Sequence, residues 1–312
     1  MHSEKKKNRF EIDMCNGSIM DKLISFALPL MLSGMLQLMF NAVDIVVVGR
    51  FSGSQSLAAV GATTALIYLF TNLFIGISLG ANVLAARYYA AGKHEEMSET
   101  VHTAMMFALI SGIIMIFVGL FFSRLALEIM GTPSDVIDQA TLYMRIYFLG
   151  MPFFMLYNYG AAILRAVGDT KRPLIFLIIS GVVNACLNML LVIVFHLDVA
   201  GVAIATVTSQ FISCVLVIGC LYRTKSSYQL RFSRLKIQKK YLKPICQVGI
   251  PAGIQSTVIN FSNALLQSSV NSFGSTTMAG YTAANNIFGF LYVSVNAITQ
   301  ACMSFTSQNY GL

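Results

Sequence analysis

A single carboxylate, Asp44, stands in an otherwise apolar stretch, among Phe40, Val43, Ile45, Val46, Val47 and Val48. Gln37 and Asn41 precede it at spacings that put all three side chains on one face of a helix. Further polar residues recur inside apolar runs: Asn158, the pair Asn184 and Asn188 four positions apart, and Thr206. One acid with neutral oxygens around it can hold a single monovalent cation, or take up and release a proton. Amides and hydroxyls in a membrane helix also make interhelical hydrogen bonds worth about 0.6–2 kcal/mol each, which is their commoner use. Asp44 has no such ordinary account. An Asp at the centre of a membrane helix costs roughly 2.5–3.5 kcal/mol, and such residues face a polar cavity. The other twelve of the 13 acidic residues lie in the N-terminal segment, between apolar runs or, for Asp138 and Asp198, at the very start of one.

The elements that must position these groups follow from composition. The chain has 312 residues, 56% hydrophobic and only 11% charged, with a mean hydropathy of +0.70. These values exclude an ordinary soluble domain and describe an all-α polytopic membrane protein. Apolar runs occupy about 23–49, 57–85, 101–122, 137–163, 173–195, 198–222, 245–271 and 277–306, each near or above the ~20 residues a bilayer requires. We read eight transmembrane helices. All-round apolarity without period-two alternation favours helices over a barrel. The run that begins at Leu23 continues for a full span with no small-residue cleavage pattern, so the first helix is expected to stay.

The basic excess, 21 Lys and Arg against 13 Asp and Glu, fits topology rather than nucleic acid. With the N-terminus cytoplasmic, every basic residue except Arg50, Arg124 and Arg145 falls on the inner side. The largest share, Arg223 to Lys243, follows the sixth span. The six cysteines lie mostly in apolar runs without metal or redox spacing and read as packing residues. His94, Glu95 and His102 lack the ligand spacing of a metal site. Phosphate-loop, nucleophile-elbow and zinc-pair motifs are absent, so no enzymatic activity is expected.

Sliding the chain by 222 positions matches Pro29 to Pro251, Asn41 to Asn263, Val48 to Val270, Phe51 to Phe273, Ala62 to Ala284, Leu69 to Leu291 and Tyr88 to Tyr310. Six spans separate the copies, so they enter the membrane in the same direction. Asp44 has no counterpart, because Leu266 stands there. The expected organisation is a cytoplasmic tail (1–22), a six-helix lobe (23–222), a basic linker (223–243) and the first two helices of a second lobe (244–312). Pro29, Pro152 and Pro251 lie within spans, where they free backbone carbonyls and mark static kinks or moving hinges.

The segment AVDIVVVGRFSGSQSLAAVG around Asp44, the connection LRAVGDTKRP (164–173), the stretch GVAIATV (201–207) and the duplicated lobe resemble the multidrug and toxic compound extrusion (MATE) family of antiporters. The resemblance implies a two-lobe repeat of twelve helices, about eight of them present here. It implies export of organic cations or amphipathic drugs in exchange for Na+ or H+, with no cofactor, by a monomer in the cell membrane. It assigns Asp44 and Asn184 to the coupling-cation site, with Na+ as the candidate metal ion, and Asn188 and Thr206 beside them. Tyr143 and Asn158 join the polar network, Gln37 lies near the substrate path, and Pro29 marks the bend of the first helix. One position departs: the family's usual second acid, four residues after the fifth-span Asn, is Asn188 here. A lipid-linked oligosaccharide flippase of the same superfamily is one alternative, although it would call for basic residues in its cavity where these spans carry an Asp. A non-transporting truncated fragment is the other.

The topology is tested by labelling single cysteines from outside intact cells in a cysteine-free background. Gly53→Cys is expected to react and Arg234→Cys to be silent; the opposite pattern overturns the orientation.

Overall fold

The computed structural model describes residues 10–271 and 275–311. Lys5, Lys6, Lys7 and Arg9 of the tail and the repeat position Phe273 lie outside the described residues. With no water to satisfy backbone groups, each apolar run closes its own hydrogen bonds as a helix. The elements are α1 (Ile19–Phe51), α2 (Gly53–Ala90), α3 (His94–Ile129), α4 (Ile137–Leu149), α5 (Met151–Ala166), α6 (Lys171–Asn188), α7 (Asp198–Arg223), α8 (Lys239–Asn271) and α9 (Ser275–Gly311). α6 runs on into π-helical turns at Met189–Val194.

The run read as one span over 137–163 is two helices, α4 and α5, bent by 49°. Pro152 in the first turn of α5 supplies no N–H, and Gly150 between the helices presses against α7. A Cβ on Gly150 would lie 2.7 Å from a Val207 methyl. Six helices among the described residues are long and apolar enough to cross a membrane, namely α1, α2, α3, α6 with its π extension, α7 and the part of α9 from Ile287. The bent pair makes a seventh. α8 is as long, at 33 residues, but is punctuated by polar groups. Several of them, Ser256, Thr257, Asn260 and Ser262, bond back to carbonyls of their own helix. Two helices extend beyond the apolar runs that announce them: α1 starts at Ile19 and α8 at Lys239.

The packing of α8 and α9 on the earlier helices follows the sequence repeat. α1 lies against α9, α2 against α8, and α2 against α9. Since α8 and α9 repeat α1 and α2, those are the pairings that a two-fold axis along the membrane normal generates. Near that axis Ser304 donates a hydrogen bond of 3.0 Å to Oδ1 of Asn82, its own counterpart in the repeat. Gly76-x-x-x-Gly80 of α2 meets Gly249 and Gly253 of α8 within the same chain, the close-packing use of small-xxx-small. A Cβ on Gly80 would fall 2.1 Å from the Ile245 carbonyl oxygen, and one on Gly76 2.3 Å from Gly253 Cα.

At the end of the bundle where α2 and α9 finish, residues 10–17 cross the molecule. Glu11 accepts hydrogen bonds from Tyr89 (2.8 Å) and Tyr228 (2.7 Å), and the Met14 carbonyl accepts from Asn309 (3.1 Å). The N–H of Ile12 donates to the Gly168 carbonyl at 3.2 Å. These contacts give a physical account of the connection LRAVGDTKRP (164–173). Gly168 sits at φ +90°, and a Cβ there would lie 2.4 Å from the Ile12 carbonyl oxygen. Asp169 accepts from the Arg172 N–H at 3.1 Å and pairs with its guanidinium at 3.1 Å. Burial nevertheless pushes the Asp169 carboxyl up to about 6, against the pull of Arg172. His102, which the spacing had set aside as a metal ligand, is fully buried. Its Nε2 accepts from the Arg231 N–H at 3.0 Å, so Nδ1 carries the proton toward the Ser98 carbonyl at 2.6 Å. It anchors the linker.

Gly80→Ala is expected to destabilise the protein by about 1–3 kcal/mol, because the backbone atoms it meets cannot turn aside. Gly61→Ala, on the same helix with nothing within 4 Å, is expected to be neutral or slightly stabilising. Thermal melting of the two variants checks this; equal shifts would refute the backbone-contact account.

Candidate functional site

One cavity of about 420 Å³ collects most of the candidate residues. Gln37, Asn41 and Asp44 line it from α1, Tyr143 from α4, Asn158 from α5, Asn184 from α6 and Thr206 from α7. α1 and α6 meet where the Phe40 ring fills the space over Gly181; a Cβ there would lie 1.9 Å from the ring. Asp44 comes one turn after Phe40, and Asn184 and Asn188 one and two turns after Gly181. The two helices run in the same direction, so these positions meet.

A chain of hydrogen bonds follows. The amide of Asn188 donates to Oδ1 of Asp44 and, at 3.2 Å, to Oδ1 of Asn184. The Asn184 amide donates to Thr206 Oγ1 at 3.5 Å, and that hydroxyl donates to the Val202 carbonyl at 2.9 Å. Asn188 is fully buried, and its own carbonyl oxygen has no hydrogen-bond partner among the described residues. An orphaned oxygen is expensive to bury. The Asp44 carboxylate, the Asn184 amide and the Thr206 hydroxyl line the cavity as one negative charge with neutral oxygens, a donor chemistry that suits a small hard cation. An acid at 188 would have set two like charges together. The amide instead turns that contact into a hydrogen bond and leaves a one-carboxylate site. The helix loosens into its π-helical turns directly after Asn188, a distortion frequent at functional sites.

Asn158 lines the cavity while its amide donates to the Phe154 carbonyl of its own helix at 2.8 Å. Tyr143 is buried and stacks on Tyr147 with ring centroids 6.2 Å apart. Pro29 is buried and is not among the residues that line the cavity; its neighbours in the chain, Phe26, Ala27 and Leu30, form a small core with Ala297 and Ala301. α1 continues through the proline, and the Pro29 carbonyl accepts from the Ser33 hydroxyl at 2.8 Å.

The sequence left several lining residues unremarked. Tyr68 sits beside Asn41, Tyr147 beside Gln210, and Tyr157 donates to the Pro173 carbonyl at 3.3 Å. Arg165, counted with the inner connection by its charge, lines the same cavity. Aromatic residues in spans carry no signal that separates a cavity wall from a lipid face. Arg165 had one: it falls inside the helical run before Gly168 rather than after it. Among the described residues, no group of three His, Cys, Asp or Glu could hold a metal ion.

Comparison with known proteins bears on the same helices. The MatE family model matches residues 29–190 and 251–312. The chain is 31% identical over 303 residues to the probable multidrug resistance protein YoeA of Bacillus subtilis (strain 168), covering 94% of this chain and 65% of the relative. It is 22% identical over 288 residues to the multidrug export protein MepA of Staphylococcus aureus (strain MRSA252), covering 92% and 64%. The chain thus spans somewhat less than two thirds of the length of these relatives. Among solved structures, MATE in the bent conformation superposes with a TM-score of 0.88 at 22% identity, over 96% of this chain and 67% of the other. A multidrug resistance MATE family transporter of the MOP superfamily in an outward-facing conformation gives 0.90 at 22%, over 98% and 68%. At that identity the structures establish the fold, and the family model, which matches most of the chain on both sides of the linker, establishes the kinship: the chain belongs to the MatE family.

Proposed function

We propose that the chain works in multidrug efflux, moving organic cations or amphipathic compounds out across the cell membrane in exchange for Na+ or a proton. The observation that carries this reading is the Asp44 site: one carboxylate in a cavity between helices, hydrogen-bonded to Asn188 and backed by the orphaned Asn188 oxygen. Family membership and the multidrug names of the relatives support the same reading. In this scheme residues 23–222 act as one lobe and residues from 244 onward begin the second, with the N-terminus and the linker cytoplasmic.

Coupling follows from charge. A single negative group can be neutralised by a proton, a Na+ ion or a cationic substrate, but not fully by two of them together. If each occupant favours a different conformation, binding of one drives release of the other. Asp44 is the coupling residue, Asn184, Asn188 and Thr206 supply neutral oxygens, and Gln37, Asn41, Tyr143 and Asn158 line the substrate path. Pro29, whose missing N–H leaves the Ser25 carbonyl without its helical partner, is where α1 can bend.

Asp44→Asn keeps shape and hydrogen bonding but removes the charge. It is expected to reduce ion-driven efflux from proteoliposomes to background while membrane insertion stays near normal; transport at close to the parental rate would sink the coupling role. Equilibrium binding is expected to give one coupling ion per chain. Two ions bound with Asp44 intact would count against the one-carboxylate site.

A further inference from the structure

The cavity that holds Asp44 contains one other formally charged residue, Arg165, in the last turn of α5. Its guanidinium makes no ion pair and no hydrogen bond among the described residues; the acids that do pair with arginine are Glu128, Asp138 and Asp169, with Arg124 and Arg172. The titratable neighbour it senses is Tyr157, whose hydroxyl reaches the Pro173 carbonyl at the start of α6. Arg165 therefore belongs to the end of the cavity next to the α5–α6 turn. Asp44 belongs to the other end. Its partner Asn188 lies fifteen residues beyond Pro173 along α6, about 22 Å at 1.5 Å per residue. Aromatic side chains, Phe40, Tyr68, Tyr147, Phe154 and Tyr157 among them, line the space between.

A charge in a half-buried site is costly until it meets an opposite charge. The planar fork of arginine fits the two oxygens of a carboxylate. A last-turn arginine also answers its own helix's carbonyls, but that role does not require it to line a cavity. Resting on the efflux reading above, we infer that Arg165 makes the inner end of the cavity an anion-recognising subsite. An amphipathic zwitterion then seats its carboxylate at Arg165 and its aromatic body along the cavity wall. Such a molecule leaves Asp44 to the coupling ion. An amphipathic cation without a carboxylate is drawn to Asp44 instead and competes with that ion.

A rhodamine methyl ester, which is a cation, and its free acid, a zwitterion at neutral pH, differ only at the group in question. Their affinities are measured by fluorescence polarisation on the purified full chain, with and without added Na+ and at neutral and lower pH above the dye's own carboxyl range. Arg165→Gln is expected to weaken the free acid on the order of tenfold, the scale of a hydrogen bond to a charged group, and to leave the ester within about twofold. Arg165→Lys keeps most of the acid's affinity. The coupling ion, Na+ or the proton, weakens the ester more than the acid. Equal losses for both dyes in Arg165→Gln, or no loss for the acid, overturn the subsite. Competition on the native chain needs no variant: benzoate is expected to displace the acid and spare the ester. Displacement by phosphocholine but not benzoate assigns the arginine to a lipid headgroup and overturns the zwitterion reading; displacement by neither also overturns it. Ester binding without discrimination sinks this inference alone, whereas a chain that binds neither dye sinks the efflux reading with it.

Discussion

The contact between Asp44 and Asn188 is the interaction to which the rest of the bundle is fitted. A carboxylate among membrane helices cannot be left to itself, and water is not the only remedy. Here three helices contribute: α1 carries the acid, α6 supplies two amides, and α7 supplies a hydroxyl that closes on its own backbone. Gly181 leaves room for the Phe40 ring between α1 and α6, one turn before the amides arrive. Beyond Asn188 the helix gives up regular α geometry, and the turn that follows puts His196 and Asp198 at positive φ. The local cost of that turn falls where α6 has already delivered its polar groups.

The opposite end of the molecule is built on a different principle. There the chain is tied by hydrogen bonds among segments far apart in sequence: Glu11 to Tyr89 and Tyr228, Asn309 to the Met14 carbonyl, and Gln308 to the Ala166 carbonyl at 2.7 Å. Arg87 lies over the Tyr310 ring and Arg172 over Phe10, each 5.0 Å from the centroid. The tail and the linker, which the charge distribution put on one side of the membrane, are thus brought together with the last turn of α9 at one end of the bundle.

Much of the fold was legible in the sequence because the bilayer admits so few solutions. Once a run of apolar residues must satisfy its own backbone, length and the positions of Gly and Pro say nearly everything about the rods. The repeat added more, since residues 222 positions apart not only resemble one another but, at Asn82 and Ser304, touch. The break at Gly150 was harder to read. Pro152 was visible, but a proline inside a span is compatible with a gentle kink as well as with a 49° bend. At the candidate site, the amides and the acid stood out because polarity in a span is rare. The tyrosines did not, since an aromatic ring is at home in lipid, in a core and on a cavity wall alike. Arg165 was hidden by the bookkeeping of topology, which assigns a basic residue near the end of a span to the nearer surface. With α5 packed among α2, α3 and α7, it lines the interior cavity instead.

The seam between α2 and α8 has no interlocking side chains where Gly76, Gly80, Gly249 and Gly253 meet. Backbone rests on backbone, so nothing has to be withdrawn from a socket before the helices separate, and nothing has to find its socket again when they return. A knobs-into-holes seam resists both sliding and parting; a smooth one resists mainly through the area in contact. The same absence of side chains that lets the two backbones touch leaves these four positions with nothing to repack, whatever the helices do.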